Sequence, residues 1–265
     1  MSATDPHRIA VVIPALNEER AIRGIVESAL AICPNVIVVD DGSTDATCER
    51  IADLPITLIR HRTSLGKGQG LRDGFRAARA AGFDAVVTMD GDGQHLAADI
   101  PRLLAAARRY PEHLVIGARI RNRENQPAAR RRANDFADWG ISWGCGVPVA
   151  DTQSGQRYYP SAALDLADIA ADDFVFEAAV LIAAAREKRV GIVSVPIESR
   201  YHGEFRTSHF RPVRDVARIT WYTIKRVWAY GNMVESYRRS HATPPLIYDP
   251  EAATLAGEAP VEGSR

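Results

Sequence analysis

Asp90 and Asp92 stand one residue apart behind the run Val86-Val87-Thr88-Met89, and Gly91 and Gly93 break the chain around them. The run reads as a buried strand and the glycines as a turn at its end. With a single residue between them, both carboxylates can aim at one point just past the strand. Two hard anionic oxygen donors beside a glycine-rich turn suit a divalent cation that also holds a diphosphate. An ordinary Asp-Gly surface turn has the same letters, so the rest of the chain must decide.

Three further groups carry chemistry. Gly66-Lys67-Gly68-Gln69-Gly70 resembles a phosphate loop but lacks the Walker A spacing and its Ser or Thr after Lys. It reads either as a phosphate contact or as a helix-entry turn. Asp40-Asp41 suits a hydrogen bond to a base N–H or a ribose hydroxyl, and equally the charge that a helix dipole favours at its start. Residues 119–132 hold Arg119, Arg121, Arg123, Arg130, Arg131 and Arg132 against Glu124 alone, a strong anion-binding arrangement. His95, His202 and His209 lack metal-ligand spacing; His95 is left as a phosphate contact or a cap.

The elements that must position these residues follow a regular rhythm. Apolar runs at 9–14 and 85–89 read as buried strands, and those at 36–39, 56–59 and 114–117 as further strands. Helical patterns separate them at 17–31, 44–52, 66–82 and 100–109. Alternation over this span predicts an α/β fold with a doubly wound, mostly parallel sheet, whose ligands sit at the strands' carboxyl ends. Polar clusters follow those ends at 16–19, 40–45, 90–95 and Arg119. That distribution favours a site over a surface turn at Asp90 and Asp92.

The second half changes character: an Arg-rich loop, a helix to about 143, a turn at 151–156 into a strand, an Ala-rich helix at 174–188, and a strand at 192–195. One helix is expected from 212 to about 239, with Ala217, Trp221, Ile224 and Trp228 on one face and Arg214, Arg218 and Lys225 on another. That apolar face suits either the domain core or an interface with anionic headgroups. The domain plan is a flexible start at 1–7 and one domain at 8–240, with two halves that meet at 119. A tail at 241–265, rich in Pro, Ala and Glu, reads as disordered.

Composition narrows the class. The 265 residues contain 33 cations and 33 acids, so the whole-chain charge identifies no partner. Locally, residues 200–239 carry nine cations against Glu204, Asp215 and Glu235, which points to an anionic ligand or surface. Cys33, Cys48 and Cys145 are odd in number and widely spaced, as packing cysteines of a reducing compartment are. A polar start argues against a signal peptide, and no apolar run approaches the ~20 residues of a membrane span. The expectation is a cytoplasmic protein, peripheral on the cytoplasmic face where it meets a membrane, with no nucleic-acid role and no readable oligomeric state.

Taken together, the segments at 11–19, 38–45, 65–70, 89–95, 116–119, 151–155, 195–198 and 208–212 resemble a family 2 glycosyltransferase of the GT-A fold, and within it the polyprenyl-phosphate mannose or glucose synthases. The resemblance spans roughly 8–235. It implies that Asp90 and Asp92 form the D-x-D motif holding Mg²⁺ or Mn²⁺ against a nucleotide diphosphate, with Gln94 a further ligand. It also implies that Pro14, Asn17, Glu18 and Asp41 line the nucleoside pocket. Lys67 and Gly68 join the donor site, Arg119, Arg130 and Arg131 hold an acceptor phosphate, and Arg200 and Ser208 close over the diphosphate. The implied reaction is an inverting transfer of a hexose from a GDP-mannose- or UDP-glucose-type donor to a polyprenyl phosphate at a membrane surface, with Asp92 and Arg119 at the reacting centre. For a hydroxyl acceptor, which needs a general base, Asp151 is the candidate; a nucleotide-sugar-binding protein without catalysis is the third reading.

Overall fold

Strands without hydrophobic alternation must be covered on both faces, and six of the seven strands here are buried along almost their whole length. They are β1 (Ile9–Ala15), β2 (Val36–Asp40), β4 (Ala85–Thr88), β5 (Leu114–Ala118), β6 (Arg157–Pro160) and β7 (Ile192–Pro196); the exposed edge is β3 (Thr57–Arg60). The computed structural model describes residues 4–121, 123, 128–171, 173–198 and 212–255.

The sheet order is β3-β2-β1-β4-β6-β5-β7, parallel throughout except for β6, which runs antiparallel to β4 and β5. The chain winds outward from β1 to β3 and then returns to lay β4 on the other side of β1. Loops leaving β1 and β4 therefore diverge, opening a crevice at their carboxyl ends. Asp90 and Asp92 lie at that switch point.

Helices α1 (Ile22–Leu30) and α3 (Ile100–Arg109) cover one face over Val11, Ile13, Val38 and Val87. On the other face, α2 (Lys67–Ala80), α5 (Ser161–Leu164) and α6 (Phe174–Arg186) bury Val12, Val39 and Val86, with the Phe75 ring 4.9 Å from that of Tyr159. Helix α6 is buried from Val175 to Ala184 because a third layer lies over it. That layer is α4 (Ala128–Cys145), α7 (Pro212–Tyr230) and α8 (Met233–Ala242). Among the described residues, no helix is long and apolar enough to cross a membrane.

Four expectations need correction. Residues 44–52 form turns and a 3-10 segment, Glu49–Ile51, rather than an α-helix. Their side chains are engaged elsewhere: Glu18 N–H donates to Thr47 Oγ1 and Glu19 N–H to Asp45 Oδ2. Helix α1 starts at Ile22 rather than at 17, because Asn17 sits at φ 56° and bridges to the β2 loop. The expected helix at 212–239 is two, since Gly231 adopts φ 73°, a conformation that ends α7 and favours glycine. The tail is not disordered through 255: Ser194 N–H donates to Leu246 O and Tyr248 N–H to Ser194 O, both at 2.9 Å. There a short helix α9 (Pro250–Leu255) brings Asp249 and Glu251 onto Arg102 and Arg121.

Candidate active site

Beyond β4, Asp90 faces a cation supplied by the protein. Lys67 Nζ, from the first turn of α2, lies 2.8 Å from Asp90 Oδ1 and 3.2 Å from Glu177 Oε2. Burial pushes Asp90 up, but the Lys67 ammonium outweighs it and holds the carboxyl at about 2. Burial likewise works against the Lys67 charge, and Asp90 with Glu177 overrides it upward. Helix α2 can bring Lys67 this close because Gly68 lies on the backbone of Asp173. A Cβ at Gly68 would fall 2.6 Å from Asp173 O.

Asp92 behaves differently. Burial first, then the neighbouring Asp90 charge, raise its pKa. Gln94 N–H and Nε2–H donate to its two oxygens at 3.0 and 2.8 Å. Two desolvated carboxylates that repel each other, with an amide side chain alongside, form a donor set that a divalent cation would relieve. Ser154 Oγ, beside Gly155 against Asp90, is buried without a hydrogen-bond partner. Among the described residues no three His, Cys, Asp or Glu side chains converge into a metal cage. That fits a cation held by one or two carboxylates and completed by ligand phosphates. His95 resolves as a cap: burial lowers its pKa, and Nδ1 accepts the Asp90 N–H at 3.1 Å.

At the β1 and β2 ends, the polar residues hold loops together. Ser43 Oγ accepts from Asn17 N–H, and Asn17 Oδ1 from Thr44 N–H, each at 2.8 Å. Pro14 lies in β1 and Glu18 just beyond it, on the same crevice rim. Asp41 is buried and accepts from Leu65 N–H, Gly66 N–H, Ser64 Oγ–H and the His61 ring. Burial would raise its pKa, and these hydrogen bonds reverse the shift. Its carboxylate thus braces the loop that presents Lys67, rather than standing open to a base. Asp40 is fully buried beneath Ser43 N–H.

At the end of β5, Arg119 and Asp151 lock together. Asp151 Oδ2 accepts from Arg119 N–H and Nε–H at 2.7 and 2.8 Å, and Oδ1 from an Nη at 2.8 Å. Burial pushes Asp151 up, and the Arg119 guanidinium more than compensates, lowering it. Asp151 is therefore not a carboxylate awaiting a proton, as the hydroxyl-acceptor expectation requires. Its backbone is held at φ 50° by Asp138 on α4, which accepts from Asp151 N–H at 2.9 Å and Thr152 N–H at 2.7 Å. Beneath the turn, Arg157 donates to Ser154 O and Thr152 O, each at 2.7 Å.

The arginine run does not act as one cluster. Arg121 pairs with Asp249 and Glu251, and Arg123 with Asp135. Of the remainder, Arg132 is exposed and Arg131 half-buried at the start of α4. The Arg130 side chain, Arg200 and Ser208 lie outside the described residues. Sequence reasoning missed Glu177, Asp138 and Arg157. A lone acid in the apolar stretch of α6 was a legible signal for Glu177; nothing comparable marked Asp138 or Arg157.

Comparison with known proteins supplies a family. The sequence model described as "Glycosyl transferase family 2" matches residues 10–158. The chain is 29% identical over 216 residues to the UDP-N-acetylglucosamine–dolichyl-phosphate N-acetylglucosaminyltransferase of Methanococcus voltae, covering 73% of this chain and 86% of that one. It is 30% identical over 243 residues to the undecaprenyl-phosphate mannosyltransferase of Micrococcus luteus, covering 83% and 96%. Among solved structures it resembles glucosyl-3-phosphoglycerate synthase from Mycobacterium tuberculosis, in complex with Mn²⁺, UDP-glucose and phosphoglyceric acid. There the TM-score is 0.60 at 25% identity, covering 86% of this chain and 80% of that one.

Proposed function

The chain belongs to glycosyl transferase family 2, and from that premise we propose that it moves a hexose from a nucleotide sugar to a polyprenyl phosphate, inverting the anomeric carbon. The observation that carries the acceptor is the Arg119–Asp151 pair. A sugar hydroxyl would need a base at neutral pH, yet Asp151 is buried, ion-paired and shifted away from proton uptake. A phosphate monoester, with a second pKa of about 6, arrives already deprotonated and needs only cations and alignment.

In this reading Asp90, Asp92 and Gln94 hold Mg²⁺ or Mn²⁺, which supplies charge neutralisation of the departing nucleoside diphosphate. Lys67 lies beside Asp90 within reach of the same anionic group. Arg119, oriented by Asp151, aligns the acceptor phosphate with Arg131 nearby in sequence at the start of α4. Pro14, Asn17 and Glu18 line the nucleoside side of the crevice, while Asp41 acts through the loop it braces.

Transfer of radiolabelled sugar from UDP-, GDP- and dTDP-sugars to undecaprenyl or dolichyl phosphate in Mn²⁺ tests the reading. Labelled lipid is the expected product; no labelled lipid with any of these donors would sink it. The likeness to a synthase crystallised with phosphoglyceric acid favours one second reading, a small phosphorylated acceptor whose hydroxyl attacks the anomeric carbon. Label appearing on phosphoglyceric acid rather than on lipid would select it.

A further inference from the structure

The outer helical layer exposes side chains that soluble surfaces seldom gather. Trp228 is 72% exposed, Val234 66%, Trp221 59%, Phe136 51%, Tyr237 42%, and Trp139 and Ile224 40% each. All seven lie on α4, α7 and α8. Helix α7 shows why they are not core residues displaced outward: its buried stripe is Asp215, Ile219, Thr223 and Val227. The Trp221–Ile224–Trp228 face points the other way. Of the two sequence readings of that face, the core one fails. Exposed apolar patches of this extent mark a docking surface.

Charge identifies the occupant. On a chain of net charge zero, these three helices carry nine arginines and lysines against four acids. Arg218, Arg226 and Arg239 are taken up by Asp173, Glu187 and Glu235, which leaves Arg131, Arg132, Arg214, Lys225 and Arg238 among the described side chains. Of the other acids, Asp135 pairs with Arg123, Asp138 holds the Asp151 turn and Asp215 is buried. Lys225 Nζ lies over the Trp221 ring, 5.1 Å from its centroid, an ammonium resting on an amphipathic ring as at a membrane–water boundary. Phe136 and Trp139 stack at 5.6 Å, and Trp139 meets Tyr237 of α8 at 6.3 Å, so the aromatics of α4 and α8 form one connected surface. Between α4 and α7 that surface is slotted by an apolar groove of about 120 Å³ lined by Phe136, Trp139, Ile219 and Ile224, with Gln153 at one end. A narrow apolar slot on a helical layer with an excess of cations complements an amphiphile with an anionic head and a hydrocarbon chain.

We propose that α4, α7 and α8 form a single face that docks on an anionic lipid bilayer and lays the acceptor edge of the active site at the headgroup level. Both helices flanking the groove reach that site. Asp138 of α4 holds the Asp151–Thr152 turn, and Arg218 of α7 pairs at 2.7 Å with Asp173, on whose backbone Gly68 rests. The inference takes its purpose from the lipid-phosphate reading, but its test is independent of it.

The test is flotation of the full chain with vesicles of phosphatidylcholine alone or mixed with phosphatidylglycerol, without nucleotide sugar or prenyl phosphate. Binding should require the anionic lipid, weaken with salt, and fall roughly tenfold or more in the Trp221→Ala/Trp228→Ala double variant. Thermal melting of that variant should match the parent, since both side chains are largely exposed. Leu58→Ala, on the edge strand β3, should bind like the parent. Absence of binding by the parent, or equal binding by the double variant, would overturn the inference. So would a dimer seen by light scattering that the double variant dissolves, because the face would then belong to a second copy. Transfer to a short prenyl phosphate in detergent separates the two readings. If vesicle binding persists while no variant or parent transfers sugar, the lipid-acceptor function falls and the docking face stands.

Discussion

The two ends of the active site both present their charges already paired, but in different ways. At the donor end, Asp90 meets the single-point ammonium of Lys67, a long side chain shared with Glu177. At the acceptor end, Arg119 is clamped to Asp151 by three hydrogen bonds, and Asp151 is itself clamped by Asp138. Neither pair's carboxylate could stay buried unpaired without desolvation favouring its neutral form. The difference lies in release. An ammonium on a flexible stem can exchange one anion for another, whereas a forked guanidinium pair is a rigid fixture. In the proposed function the first arrangement leaves room for a new ion, and the second holds its guanidinium in place.

Removing the donor carboxylates should break this contrast most severely. Asp92→Asn and Asp90→Asn should each lower transfer by on the order of a hundredfold or more. Chelation of divalent ions should do the same to the parent, reversibly on adding Mn²⁺. A parent rate insensitive to chelator would refute the assignment. Next, Arg119→Lys should cost about ten- to a hundredfold in kcat/KM for the acceptor while leaving the donor KM unchanged, because lysine cannot reproduce the fork. Equal loss with Asp151→Asn would show the pair acting as a unit. A far larger loss with Asp151→Asn alone would restore a base role.

Asp138 sharpens the contrast through pH. Burial, with the Asp151 charge added, pushes its carboxyl up to about 6. Its folded pKa therefore exceeds the unfolded value of about 4, so its contribution to stability is present below pH 4 and lost as pH rises through 6. Asp138→Asn should flatten that part of the stability curve by up to about 2–3 kcal/mol, read as the melting-temperature difference between pH 4 and 7. Its transfer rate should fall about tenfold as the Asp151 turn loosens. An unchanged pH profile would place Asp138 outside the coupling. The smallest effect belongs to the tail. Asp249→Asn cuts part-exposed pairs with Arg102 and Arg121 and should cost no more than about 1 kcal/mol.

Much of the donor end was legible in the letters. Apolar runs without alternation predicted covered strands, and each polar cluster sat where a parallel sheet ends, so Asp90 and Asp92 were placed past the end of the fourth strand; the strand order makes that end the switch point. The acceptor end was less legible because charge composition does not reveal pairing. Six arginines between positions 119 and 132 looked like one anion cradle. Asp249, more than a hundred residues away, and Asp135 on α4 engage two of them. The helix at 44–52 failed for a related reason: Thr47 and Asp45 are engaged by the N–H groups of Glu18 and Glu19, which follow β1.

What the sequence determined by itself was local and periodic: which segments are strands, which turns carry carboxylates, and the family those motifs mark. Hydrophobic period and glycine placement act within a few residues of the chain, so they can be read from it directly. Tertiary structure alone decided the partners of each buried charge, the break at Gly231 rather than a continuous helix, and the direction in which Trp221 and Trp228 face. A helix offers two sides, and only the layer packed against it determines which of them meets solvent.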